Sequence, residues 1–241
     1  MKYLIRIKYD GSHFYGFQRL NLELTVQKSI EEALTKIDKC KVVIKGASRT
    51  DRGVHAYGQC AHFDLAHAIP NDRLKNVLNK MLQPYIYITD CENVDESFHA
   101  RFSVQEKTYE YKIYTGDYDP MKEDYYLYIK EDLDLKKMKK ASQEFIGAFS
   151  FKNFVSGHRD NYDSEIYDVK IEQSNEFISI RFRGRSFYRY MVRNMVGSLL
   201  QVGLHRLEGN DIRKALNRPD KEVQLYTIKP NGLYLLNIKY E

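Results

Sequence analysis

The chain has 241 residues, enough for one large domain or two small ones, and its 43% apolar and 29% charged residues are ordinary for a globular protein. No stretch approaches the roughly 20 consecutive apolar residues of a membrane helix, and residues 1–9 lack the apolar core of a signal peptide, so a cytoplasmic location is expected. The net charge of +5 is by itself only weak support for an anionic partner.

The first half of the chain alternates predicted strands and helices. Residues 2–9 place apolar side chains at every second position, which predicts a half-buried strand. Thr25 is a suitable N-cap for an amphipathic helix that follows it. Further strands are predicted at 41–45, 56–64 and 85–89, and a second helix opens at Pro70 and Asn71 with Leu74, Val77, Leu78 and Met81 directed inward.

The second half has a similar content of strands and helices. Asp134 is expected to cap a helix. Strands are predicted at 107–114, 164–172, 176–183 and 233–240, and helices at about 187–203 and about 210–217. Two such halves, divided near residue 102, indicate a pair of α+β domains, 1–102 and 103–241.

Residues 181–193 form a basic and aromatic segment, with five arginines, four aromatic residues and no acid. Arginine binds phosphates through two hydrogen bonds at once, and both arginine and aromatic rings stack on bases. This composition favours an RNA-binding surface. The alternative is an exposed strand followed by the solvated start of a helix.

Metal chemistry is not indicated by the sequence. Cys40, Cys60 and Cys91 are widely spaced, and the histidines show no spacing typical of a metal site. The cysteines are most simply small buried apolar residues. No metal is expected.

The loop 46–59, between two predicted strands, is the most informative segment. Asp51 and Gly53 alone would make an ordinary turn. However, Arg49 and Arg52 flank the carboxylate, and nearby cations favour an ionised aspartate. A carboxylate held in place can act as a covalent nucleophile, so the spacing alone makes Asp51 a possible catalytic residue.

The same loop resembles a known catalytic sequence. SRTDRGVHAYGQ at 48–59 is similar to the catalytic loop of the tRNA pseudouridine synthase A family, where the pattern is close to GRTDAGVHAxGQ. Further family segments recur in the right order along nearly the whole chain. They are YDGSHFYGFQ at 9–18, TVQ at 25–27, FHARFS at 98–103, KTYEY at 107–111, YMVRNMVG at 190–197 and GLYL at 232–235.

The resemblance implies a fold, an activity and a partner. The fold would be the pseudouridine synthase fold, two similar α+β domains with a mixed, largely antiparallel sheet, acting as a homodimer without metal or cofactor. The activity would be isomerisation of uridine to pseudouridine at positions 38, 39 and 40 in the anticodon stem-loop of tRNA. A base inside a stem must be extruded from the stack before an enzyme can reach it.

The resemblance also implies roles for particular residues. Asp51 would be the nucleophile, and Arg193 its ion-pair partner. Tyr109 would lie against the target base as a plausible general base. Arg49 would enter the gap left by the flipped uridine, and Leu233 would form an apolar wall of the pocket.

Each of these residues also has a simpler interpretation. Arg193 could be a surface arginine of a helix, Tyr109 a packed aromatic of a strand, and Leu233 a core residue. Arg49 could contact a phosphate, which does not exclude its role in the gap.

The sequence departs from the family pattern at three positions. Phe17 replaces a tryptophan, Ser150 stands where an aspartate is common, and Arg52 replaces an alanine beside the nucleophile. These changes bear on RNA placement and leave the catalytic assignment of Asp51 unchanged.

Three other functions remain open from the sequence. One is a related synthase that acts on ribosomal RNA or on several RNAs. Another is an RNA-binding module or chaperone without catalysis. The third is a hydrolase that uses Asp51 and His55, although His55 is better explained as a structural residue.

Overall fold

The computed structural model describes residues 1–219 and 226–240 and divides into two compact units. The first unit contains residues 1–105 and the end of the chain from Leu235, and the second contains residues 106–234. Both units combine helices with β-sheet, so the predicted α+β class is confirmed. The domain boundaries 1–102 and 103–241 stay a prediction, because compactness does not show which parts fold alone.

Sheet strands of the first unit come from both ends of the chain. They lie in the order β4–β1–β3–β10, and β1 runs antiparallel to both β3 and β4. A short strand, β2, also pairs with β3 in antiparallel fashion. The bounds are Lys2–Tyr9 for β1, Lys45–Gly46 for β2, His55–Asp64 for β3, Ile86–Asn93 for β4 and Leu233–Lys239 for β10, of which the residues from Leu235 belong to this unit.

Two amphipathic helices accompany this sheet, α1 (Val26–Asp38) and α2 (Asn71–Leu82). The hydroxyl oxygen of Thr25 accepts the backbone N–H of Lys28, which confirms the predicted cap. The prediction that Met81 points inward is wrong, because Met81 is exposed. The buried stripe of α2 advances by four residues at a time, through Leu74, Leu78 and Leu82.

Residues 41–44 are not a strand, contrary to the prediction of a strand over 41–45. The side chains of the segment alternate between exposed and buried, but side chains of α1 accept its backbone N–H groups in place of a partner strand. The Thr35 hydroxyl accepts the N–H of Val42 at 3.1 Å, and the Glu31 carboxylate accepts the N–H of Ile44 at 3.1 Å. Only β2 pairs with another strand here.

Strands of the second unit form a largely antiparallel sheet in the order β5–β9–β8–β7. One strand, β6, is parallel to β5. The predicted hairpin is confirmed, with Asn175 in the left-handed region (φ 51°) at its turn. The bounds are Glu106–Tyr114 for β5, Leu127–Tyr128 for β6, Gly147–Ser150 for β7, Asp163–Ser174 for β8 and Phe177–Gly184 for β9.

Helices of the second unit are α3 (Leu135–Ser142), α4 (Met191–Gly203) and α5 (Gly209–Asn217). The carboxylate of Asp134 accepts the N–H of Lys137, as expected for an N-cap. The prediction that α4 begins near residue 187 is wrong by about one turn. Tyr190 lies in the left-handed region (φ 62°), which prevents the helix from extending further towards the N-terminus.

Within residues 1–219 and 226–240, no helix is both long and apolar enough to span a lipid bilayer. The same residues contain no cluster of three or more side chains that could hold a metal ion.

Candidate active site

Asp51 lies in a tight turn between β2 and β3. The backbone N–H of Val54 donates to the carbonyl of Asp51 at 3.2 Å, and Gly53 occupies the left-handed region (φ 78°) that the turn requires. Asp51 is half-buried, whereas the neighbouring Arg49 and Arg52 are exposed. The loop therefore presents a carboxylate between two cations.

Residues 9–18 hold this turn from one side. The hydroxyl groups of Tyr9 and Thr50 are 2.7 Å apart, and the N–H of Phe17 donates to the carbonyl of Thr50 at 3.1 Å. Gly16, with φ at 92°, packs so closely that a Cβ atom there would lie 2.8 Å from the same carbonyl. The residue before Asp51 is thus fixed through both its side chain and its backbone.

His55 supports the other end of the turn. Its Nδ1 accepts the N–H of Gly11 at 3.1 Å, and the ring is almost fully buried. The same Nδ1 atom lies 3.2 Å from a carboxylate oxygen of Asp10, so the ring is anchored to residues 10 and 11 together. A Cβ atom on Gly11 would lie 2.0 Å from the carbonyl oxygen of Val54, so only glycine fits. These contacts agree with the structural role predicted for His55 and disfavour a hydrolase that uses it as a base.

Gln59 holds the start of the loop against β3. Its side-chain amide donates to the carbonyl of Ser48 at 2.8 Å, and its side-chain oxygen accepts the N–H groups of Ser48 and Cys60. Gln59 is fully buried. A buried amide whose groups are paired in this way fixes the backbone on both sides of the loop.

The two cations beside Asp51 have different surroundings. The guanidinium of Arg52 lies 4.2 Å from the centre of the Tyr15 ring, a cation–π contact. Arg49 lines a groove that also contains His99, Arg101 and Phe102. Both arginines keep an exposed charge that could attract a phosphate.

Arg193 is held at the first turn of α4 in the second unit. Its Nε donates to the carbonyl of Ile228 at 2.7 Å, and its guanidinium lies 4.5 Å from the centre of the Tyr190 ring. The side chain is half-buried. Arg193 is therefore more constrained than the solvated helix arginine that was the simpler interpretation.

Tyr111, which the sequence did not single out, lies close to Arg193. Burial raises the pKa of the Tyr111 hydroxyl well above its usual value, and the charge of Arg193 partly opposes this rise. The hydroxyl donates to the carbonyl of Lys229 at 2.6 Å, one residue after the carbonyl that Arg193 contacts. The backbone at 228–229 thus connects β5 to α4.

Tyr109 and Leu233 are both buried in the second unit. Tyr109 stands opposite Phe182 on the neighbouring strand, and its ring meets Phe187 edge-on at 5.0 Å between centroids. Leu233 begins β10, and its N–H donates to the carbonyl of Pro230 at 2.8 Å. These positions suit packed side chains as well as walls of a pocket.

Two of the five arginines in the segment 181–193 form ion pairs with acidic residues of the neighbouring strand. The Nε atom of Arg181 lies 2.9 Å from the carboxylate of Glu110, and the Nη1 atom of Arg183 lies 2.8 Å from that of Glu106. These two arginines are paired on the sheet, so the composition overstates the charge that the segment offers to RNA.

The predicted site residues belong to two groups. Arg49 and Asp51 lie together in the first unit, whereas Tyr109, Arg193 and Leu233 lie in the second. No role was predicted from the sequence for the residues that hold each group in place. Tyr9, Thr50, Gln59 and Tyr111 all lie inside the segments that resemble the family, and this was the signal for them.

Comparison with known proteins decides the family. Residues 5–103 and 141–241 match the family model described as tRNA pseudouridine synthase. The chain belongs to the tRNA pseudouridine synthase family. As a member it is an isomerase that converts uridine in tRNA to pseudouridine. The matched residues include Arg49, Asp51, Arg193 and Leu233, while Tyr109 lies between the two matched ranges.

Full-length relatives agree with this membership. A tRNA pseudouridine synthase A of Lactobacillus acidophilus is 38% identical over 100% of this chain and 94% of the relative. That of Listeria monocytogenes is 39% identical over 100% of this chain and 99% of the relative. Among solved structures, a Cbf5–Nop10–Gar1 complex aligns with 11% identity and a TM-score of 0.33, over 82% of this chain and 54% of that one, which is a distant likeness. Membership of an enzyme family disfavours a non-catalytic RNA-binding module.

Proposed function

We propose that this synthase modifies uridines 38, 39 and 40 in the anticodon stem-loop of tRNA, in the cytoplasm and as a homodimer, with Asp51 as its nucleophile. The observation that carries the catalytic part is the rigid turn around Asp51. Hydrogen bonds to Thr50 and His55 hold the residues on both sides of the carboxylate, and the carboxylate itself is half-buried. A nucleophile held in one geometry avoids an entropic cost when the substrate arrives.

The isomerisation needs a group that can hold one half of the substrate. The bond between N1 of uracil and C1′ of ribose breaks, and a bond between C5 and C1′ forms. An adduct between the Asp51 carboxylate and the ribose or the base would keep both parts in the site while the uracil turns. The proton on C5 then leaves and N1 gains a proton. Atoms and charge balance without an oxidant, a reductant or an energy source.

The residues of the second unit would act around this adduct. Arg193 would pair with the carboxylate and keep it charged next to the anionic RNA. Its bond to Ile228 and its contact with Tyr190 support a fixed orientation. Tyr109 would lie against the base as the candidate general base, and Leu233 would exclude water from the pocket.

The target uridine would leave the helical stack before it reacts. Extrusion costs a few kcal/mol, and groups that fill the vacated space or bind the displaced backbone offset that cost. Arg49 is exposed and two residues from Asp51, which suits a side chain that enters this gap or holds a neighbouring phosphate.

Pseudouridine mapping on purified tRNA tests the proposal. The wild-type protein and the control Asp64→Asn, which removes an exposed carboxylate of β3, should both form pseudouridine at positions 38, 39 and 40. Asp51→Asn should bind the tRNA and form none. Pseudouridine at other tRNA positions would contradict the site assignment, and turnover by Asp51→Asn would contradict the mechanism.

Two further measurements test the choice of RNA substrate and the oligomeric state. Pseudouridine mapping of total RNA from a deletion strain would reveal ribosomal targets, which are the nearest competing function. Light scattering of the purified chain should give twice the monomer mass of 28.5 kDa. A monomer at working concentration would contradict the homodimer.

A further inference from the structure

A second basic feature of the first unit lies beside the Asp51 loop. It is a groove of about 300 Å³, hereafter the Phe102 groove, whose lining includes Lys45, Arg49, Arg101 and Phe102. The three cations are exposed. Within the described part of this unit, none of the lining residues is acidic.

An acidic side chain that contacts the groove lining is already paired with an arginine. Gln27 lines the groove and donates to the carboxylate of Glu31 at 2.8 Å. Glu31 is buried and also accepts a bond from Arg19 at 2.8 Å. The groove thus keeps a net positive lining, which favours an anionic occupant.

Phe102 is exposed to an unusual degree, with 76% of its surface accessible. A single exposed apolar side chain needs no explanation by itself. However, the loop that carries Phe102 is anchored in the interior, because Ala100, two residues before it, is fully buried. Its N–H donates to Nδ1 of His62 at 3.0 Å, and its carbonyl accepts the Tyr240 hydroxyl at 2.8 Å.

His99 fixes the direction of the loop that carries Phe102. The ring atom Nδ1 accepts the backbone N–H of Arg101 at 3.1 Å, and the backbone N–H of His99 donates to the hydroxyl of Ser103 at 3.2 Å. Its ring lies 4.3 Å from that of Phe102, centroid to centroid. A large apolar side chain is therefore held in solvent by a buried and hydrogen-bonded support.

A rigid exposed ring next to cations matches the chemistry of an unstacked nucleotide. Bases stack on aromatic rings whatever their sequence, and arginine or lysine binds the adjoining phosphate. The guanidinium of Arg101 lies 5.8 Å from the Phe102 ring centre, so both contacts are available to one nucleotide. A purely apolar protein partner would leave the cations of the groove unpaired and desolvated.

We propose that the Phe102 groove binds an unpaired nucleotide of the substrate tRNA, with its base stacked on Phe102 and its phosphate held by Arg101, Arg49 and Lys45. This inference rests on the proposed function. Arg49 is two residues from Asp51, which separates their Cα atoms by about 7 Å at most. The nucleotide would therefore lie near the target uridine and help to keep its strand open.

A tryptophan placed in the groove provides a direct test. The chain has no tryptophan, so Phe102→Trp introduces a single fluorophore that a stacked base would quench. We expect its emission to fall as a tRNA transcript is added and to saturate at the stoichiometry measured by filter binding. The control Tyr87→Trp places the fluorophore on β4, at another exposed aromatic position of the same unit, and should not respond.

Truncation and charge removal provide the energetic test. Phe102→Ala should raise the Kd for the tRNA about tenfold, the effect expected for one stacked base, while Tyr87→Ala leaves it unchanged. Arg101→Gln should reduce the slope of log K against log salt by roughly 0.7, the value for one phosphate of a single strand. Arg73→Gln, an exposed arginine of α2, should not change it.

The outcomes separate this inference from the proposed function. Unchanged emission of Phe102→Trp at saturating tRNA would overturn the nucleotide site while leaving the proposed activity intact. Equal loss of tRNA binding in Phe102→Ala and Tyr87→Ala would also overturn it. Quenching of Phe102→Trp together with full turnover by Asp51→Asn would support the nucleotide site and contradict the nucleophile.

Discussion

The Asp51 loop and the arginine-rich segment 181–193 were the two strongest signals in the sequence. Their side chains have different kinds of partner in the structure. In the loop, most of the motif supports the backbone, while Arg49 and Arg52 are exposed and Asp51 is half-buried. In the segment, Arg181 and Arg183 are paired with glutamates of β5, and Arg193 is bound to the backbone.

A motif and a count of charges therefore report different properties. A motif rich in glycine and buried polar residues indicates a fixed geometry, since each such residue fits only one local arrangement. A count of arginines does not show which of them carry an unneutralised charge. Substitutions in and around the two regions distinguish these properties, and a buried histidine of β3 provides a further test of the fold.

Gly16→Ala should cause the largest loss of stability, because Gly16 packs directly against the Asp51 loop. Gly16 and Gly157 have nearly the same φ, 92° and 90°, but a Cβ at Gly16 would lie 2.8 Å from the carbonyl of Thr50, whereas one at Gly157 would meet nothing within 4 Å. We expect Gly16→Ala to lower the free energy of unfolding by about 3 kcal/mol and Gly157→Ala by about 1 kcal/mol. Equal effects in urea unfolding would mean that close packing at Thr50 is unimportant.

Arg193→Lys tests whether Arg193 has a role in the segment 181–193 that its charge alone does not explain. Lysine keeps the charge but lacks the Nε–H that donates to the carbonyl of Ile228. Because this bond orients the guanidinium that we propose pairs with Asp51, its loss should weaken a charged contact of the transition state by about 2 kcal/mol and lower kcat about thirtyfold, with little change in KM. Arg185→Lys, at an exposed position of the same segment, should retain wild-type kinetics. If both variants behave alike, Arg193 has no special role.

His62→Asn should change the pH dependence of stability. Burial lowers the pKa of His62 to about 4, below the 6.5 of an unfolded histidine. Between these values the unfolded state binds more protons, so stability falls as the pH falls from about 6.5 to about 4, by roughly 2 kcal/mol from this residue.

The variant should remove that part of the pH dependence, since asparagine does not titrate. His158→Asn, at an exposed histidine, should reproduce the wild-type curve. Thermal unfolding at pH 4.5 and pH 7 distinguishes the two variants. Identical curves for both would show that His62 is not responsible.

The smallest expected effect concerns the salt dependence of tRNA binding. Arg52 stacks on an uncharged ring, whereas Arg183 is already paired with Glu106. Arg52→Gln should reduce the slope of log K against log salt by the amount that corresponds to about one phosphate contact. Arg183→Gln should change the slope much less. The reverse order would mean that the arginine count of the segment was the better guide.

Much of the fold could be predicted from periodicity alone. Strands β1, β3, β5, β8 and β9 follow from alternation of side chains, and the caps Thr25 and Asp134 from local chemistry. The failures arise from tertiary contacts or from a backbone angle that no local pattern records. Residues 41–44 bond to side chains of α1 instead of a strand, and the left-handed Tyr190 delays the start of α4.

The site shows the same limit. The sequence placed Asp51 in a turn between strands, and its neighbouring cations were evident. The contact of Tyr9 with Thr50 joins residues 41 positions apart, and that of Tyr111 with Lys229 joins residues 118 apart. Only the folded chain brings such pairs together, so their roles lay beyond any local pattern.

Release of tritium from tRNA that carries 5-tritiated uridine measures the central chemical step directly, because the proton on C5 leaves when carbon replaces nitrogen at the ribose. We predict release by the wild-type protein and none by Asp51→Asn, at tRNA concentrations where both proteins are saturated in a binding assay. Release by Asp51→Asn at a rate near that of the wild type would contradict the assignment of Asp51 as the nucleophile.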